Sequence, residues 1–87
     1  MKIADGFIIK SIADTNIVVP VGSNSVTFKA IISLNDTGAF LWRLMKNDIT
    51  EEELVSSMLE EYDVDEKTAQ ADVSEFLKSM QDSGLIQ

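Results

Sequence analysis

The hydrophobic period of this chain changes once, near residue 35, and that change limits what the chain can fold into. Before it, apolar residues alternate with polar ones or gather in short β-branched runs. After it, they recur every three or four positions. Alternation marks strands and the longer spacing marks amphipathic helices, so residues 7–34 are expected in strands and 36–83 in helices. The expected fold class is therefore α+β: a three-stranded antiparallel sheet followed by three helices.

The strands are placed at about 7–12, 16–22 and 26–34. Ala13, Asp14, Thr15 and Asn16 supply turn formers between the first two, and Gly22, Ser23, Asn24 and Ser25 between the next two. The second strand is rich in β-branched residues, and its Pro20 lacks an N–H, which confines it to an edge, a bulge or an unpaired position. In the third strand Val26, Phe28, Ala30, Ile32 and Leu34 fall on one face. Thr27, Lys29, Ile31 and Ser33 fall on the other. That is the pattern of a sheet with one face on a core and one in water.

The helices are placed at about 36–46, 51–62 and 66–83. Asn35 or Asp36 can cap the first, whose wide arc of Phe40, Leu41, Trp42, Leu44 and Met45 calls for burial on several sides. Gly38 in its first turn either weakens it or permits close packing. Thr50 and Glu53 form a capping box for the second helix, and Asp65 can cap the third. Ala69, Val73, Phe76, Leu77 and Met80 give the third helix one apolar stripe. Gly84 is a natural terminator, with Leu85 and Ile86 expected to fold back onto the core. Sheet first and helix–turn–helix last resembles a winged helix-turn-helix topology.

That topology brings DNA binding to mind, but the charge argues against it. The net charge is −8 over 87 residues. The outward side of the third helix sets Glu66, Glu75 and Asp82 against Lys67 and Lys78, a surface that repels phosphates. The same balance disfavours anionic membranes, and no apolar run approaches the roughly 18 residues of a membrane span. The first residues lack the pattern of a secretion signal, and there is no cysteine, so a cytoplasmic protein is expected. With no histidine, no cysteine and no glycine-rich phosphate loop, no catalytic constellation, metal site or cofactor site is expected. The acids crowd between Glu51 and Glu66. They read either as a solvated helix face or as a docking surface for a basic partner.

A binding role remains. In a meander the third strand lies at a sheet edge, whose unpaired backbone groups can accept an extended peptide as a further strand. A helix or the tail covering that edge is the alternative.

Several segments are together recognisable. Leu34-Asn35-Asp36-Thr37-Gly38-Ala39-Phe40-Leu41-Trp42, Ile49-Thr50-Glu51-Glu52-Glu53-Leu54-Val55, Tyr62-Asp63-Val64-Asp65, Asp72-Val73-Ser74-Glu75-Phe76-Leu77 and Gly84-Leu85-Ile86 follow in the order of the PqqD family. The chain resembles that family over nearly its whole length, as a single domain covering 1–87. The resemblance implies a recognition element that binds the leader of a ribosomally made precursor peptide. It further implies presentation of that leader to a maturase, typically a radical S-adenosylmethionine enzyme, with no cofactor of its own. The leader would add beside the third strand, at Val26, Thr27, Phe28, Lys29, Ala30, Ile31 and Ile32. The other side of its groove would be Lys67, Thr68, Ala69, Asp72, Val73 and Phe76 on the third helix. The product need not be the quinone for which the family is named. A monomer or weak dimer is expected, and the alternative function is a protein–protein adaptor or regulatory winged-helix protein without a precursor peptide.

Overall fold

A computed structural model describes residues 1–22 and 32–86. Three strands, β1 (Phe7–Ile12), β2 (Thr15–Pro20) and β3 (Ile32–Leu34), are followed by α1 (Asp36–Leu44), α2 (Glu51–Glu61) and α3 (Glu66–Asp82). The sheet is antiparallel with order β1-β2-β3. The α+β arrangement expected from the periodicity is the one observed. Of the expected third strand, the stretch 26–31 lies outside the described residues.

The first hairpin is tighter than the sequence suggests. Only Ala13 and Asp14 separate Ile12 from Thr15, which pair with each other. Both loop residues have positive φ, 44° and 48°, as a two-residue turn of the primed type requires. This moves the start of β2 from residue 16 to Thr15. β2 ends at Pro20 rather than 22, and Val21 still donates to the Gly6 carbonyl.

Each helix begins where a side chain satisfies its first amides. Asn35 Oδ1 accepts from Gly38 N at 2.7 Å, so Asn35 rather than Asp36 is the cap of α1. Asp36 instead accepts from Asn16 Nδ2, and Asn16 Oδ1 accepts from Ser11, a chain that ties the hairpin to the start of α1. Thr50 and Glu53 exchange the reciprocal bonds of a capping box, and Asp65 Oδ1 accepts from Thr68 N at 2.7 Å. α1 stops two residues early because the Met45 amide bonds both Leu41 and Trp42 and its carbonyl turns to accept from Ile3. α3 ends in a Schellman motif: Leu85 N donates to Met80 O and Gly84 N to Gln81 O, with Gly84 at φ +73°.

The core lies between the sheet and the helices and along the helix interfaces. Leu41, Trp42, Met45, Leu54, Met58, Val73, Met80 and Leu85 are entirely or almost entirely buried. Phe7, Ile9, Ile32 and Leu34 pack against this cluster from the sheet side. The tail folds back as expected, with Ile86 bridging Ile3 and the Leu85 carbonyl accepting from Ala4. Among the described residues no helix is long and apolar enough to cross a membrane.

Candidate peptide groove

The edge of β3 can be read backbone group by backbone group. In an antiparallel sheet successive residues point their N–H and C=O to opposite sides. Val21 donates to Gly6, so the odd-numbered residues of β2 serve β1. The even-numbered Asn16 and Val18 therefore serve β3, opposite Leu34 and Ile32. Ile32 and Leu34 spend their backbone groups on β2. Ser33, between them, turns its N–H and C=O outward. Among the described residues no strand pairs with that side of β3.

The outward side opens into a groove. Its near wall is Ser33, Leu34 and Asn35, its end is Thr37, Gly38 and Leu41 of α1, and its far wall is Asp72, Glu75, Phe76, Ser79 and Met80 of α3. Gly38 lets α1 come close to the strand: a Cβ there would lie 3.2 Å from Asn35 Oδ1 and 3.3 Å from Leu34 Cβ. This resolves the two readings of Gly38 in favour of close packing. The cavity is about 220 Å³. That falls below the roughly 300–1,000 Å³ of a small-molecule site and suits a few side chains of a larger ligand.

The expected site residues separate into groups. Val26, Thr27, Phe28, Lys29, Ala30 and Ile31 lie outside the described residues. Ile32 is half-buried and its side chain packs on the core. Asp72 and Phe76 line the groove, Asp72 half-buried and Phe76 largely buried. Ala69 and Val73 are fully buried, supporting α3 from inside with no surface of their own. Lys67 and Thr68 are exposed in the first turn of α3, outside the groove that the described residues form. Ser33, Glu75, Ser79 and Met80 line the groove as well, and none of them is among the expected peptide contacts.

The groove carries two carboxylates, Asp72 and Glu75, and no cation among its described lining residues. Its chemistry is hydrogen bonding from a strand edge and hydroxyls, over an apolar floor. No group of three or more potential metal-ligating side chains occurs among the described residues.

No curated protein matches the chain. Among solved structures, that of TbiB1 in complex with the TbiA(beta) leader peptide is similar. It has 25% sequence identity and a TM-score of 0.76, with 100% of this chain and 95% of that one covered. Residues 17–86 match the family described as coenzyme PQQ synthesis protein D. That span takes in most of β2, then β3, the three helices and the returning tail, so the chain belongs to the PqqD family.

Proposed function

We propose that this chain is a non-catalytic recognition domain that binds the leader of a ribosomally made precursor peptide and presents it to a modifying enzyme. The observation that carries this reading is the outward N–H and C=O of Ser33 at a groove walled by α3. An extended peptide laid beside β3 pairs with those groups and sends alternate side chains into the groove. Membership of the PqqD family supports the reading, as does the likeness to a protein solved with a leader peptide. The enzyme in this reading is a radical S-adenosylmethionine maturase, and the domain acts in the cytoplasm as a monomer or weak dimer.

The test is titration of the isotope-labelled protein with precursor peptides encoded beside its gene, followed by amide chemical shifts. The expected changes centre on Ser33, Leu34, Asp72, Glu75 and Ser79. Ser33→Pro removes an outward donor and spares the ladder to β2, a setting in which an edge strand tolerates proline. Affinity is expected to fall about tenfold, the equivalent of one backbone hydrogen bond, with the melting temperature nearly unchanged. Unaltered affinity in Ser33→Pro would remove strand addition as the binding mode.

A further inference from the structure

A second groove lies on the other flank of α3. It is lined by Glu51, Glu52, Val55, Ser56 and Leu59 of α2 and by Glu66, Gln70 and Ser74 of α3. At 100° per residue, Glu66, Gln70 and Ser74 project roughly opposite to Asp72, Phe76 and Ser79, which face the peptide groove. The helix is thus a wall shared by two surfaces that do not overlap.

The floor of this groove is aliphatic. Val55 is half-buried and Leu59, one turn on, is 38% exposed. The rim is acidic at both ends, Glu51 and Glu52 at the start of α2 and Glu66 at the start of α3. Among the described residues none of these three carboxylates is paired with a cation, and no Lys or Arg lines the groove. An apolar step of one helical turn between two negative ends is the complement of one kind of ligand. That ligand is an amphipathic helix carrying two aliphatic side chains at i and i+4, with lysines or arginines beyond them.

We infer that this groove docks a basic amphipathic helix of a partner protein while the peptide groove stays free. That the partner is the enzyme receiving the leader rests on the reading above; the chemistry of the groove does not. Docking there places the partner across α3 from the bound peptide and leaves the edge of β3 open.

The probe is a synthetic amidated helix of about 15 residues, long enough to be partly helical in water, with leucines at i and i+4 and lysines at both ends. Amide shifts are recorded on the whole chain, with and without saturating leader peptide. Perturbation of Val55, Leu59, Gln70 and Ser74 is expected in both cases, with affinity falling as salt rises. Leu59→Lys alone, and Glu52→Lys with Glu66→Lys, should each weaken binding about tenfold or more at these exposed positions, whereas Ser33→Pro should not. Equal binding by an isomer with the same lysines but scattered leucines would reduce the effect to charge alone and overturn the proposal, as would shifts mapping elsewhere. If the probe binds and leader peptides do not, the leader reading falls and the groove stands. If leader peptides perturb Ser33 and the probe leaves α2 untouched, only the docking groove falls.

Discussion

The helical layer and the sheet divide the work of this fold unequally. Among the described residues the strands place one side chain, Val18, wholly in the core. The helices place Leu41, Trp42, Leu54, Met58, Ala69, Val73 and Met80 there. The outer face of the sheet meanwhile leaves Ile8 and Ile12 exposed, and among the described residues no strand covers the outer edge of β3. A layer that carries little of the core can change its edge partners with little cost to the fold. In the proposed function the sheet is the layer that meets the peptide, while the helices hold the chain folded.

The comparison breaks if the layers prove equally costly to damage. Trp42→Ala removes the largest fully buried side chain. It should destabilise by about 3–5 kcal/mol, which consumes a large part of the stability of a domain this small. Val18→Ala, the most damaging truncation the strands offer, should cost about 2 kcal/mol, from two lost methyl groups and a small cavity. Urea unfolding of both variants gives the ratio. A Val18→Ala loss as large as that of Trp42→Ala would mean that the sheet bears as much of the stability as the helices.

This division also explains what could be read in the sequence. Helix faces and caps follow from local rules, so the stripe of α3, the box at Thr50 and the cap at Asp65 were legible residue by residue. Between Asn35 and Asp36, only the geometry chose. Ser33 was legible as a surface residue but not as the outward-turned one. Which backbone groups face an open edge depends on register, and register depends on the turn. Ala13-Asp14 lacks the glycine or asparagine that announces a two-residue turn, so nothing in the sequence marks Thr15 as the first residue of β2. On α3 the expected residues and the lining of the groove share Asp72 and Phe76, and the lining runs on to Ser79 and Met80. The crossing of a helix over a strand is set by packing between layers, to which the period of one helix is blind.

The turn itself sharpens the comparison from the sheet side. Ala13 and Asp14 both occupy the left-handed region, which costs an alanine about 1 kcal/mol. Replacing the pair with Asn-Gly, through Ala13→Asn and Asp14→Gly, suits the same backbone. A gain of about 1 kcal/mol is expected in urea unfolding, with the affinity for leader peptide unchanged because neither Ala13 nor Asp14 is among the residues that line the groove. A loss of stability would show that the strained turn is supported by contacts worth more than the strain.

The smallest effect belongs to the rim of the helical layer. The Thr68 amide, donating to Asp65, holds that carboxyl below its ordinary value of 3.8. A depressed folded-state value means the cap contributes fully above the unfolded value and is lost as pH falls through the folded one. Asp48, held low by the α-ammonium group of Met1, adds a similar slope, so wild-type acid sensitivity cannot be assigned to Asp65 alone. Asp65→Asn separates them, because asparagine caps about as well and does not titrate. The two proteins should melt together near neutral pH. Below about pH 4 the wild type should lose stability faster, since only its cap can be protonated. Parallel melting curves down to the acid transition would show that the Asp65 carboxylate contributes through its shape as a cap and not through its charge. The charge at the start of α3 would then be available to a partner without cost to the helix it begins.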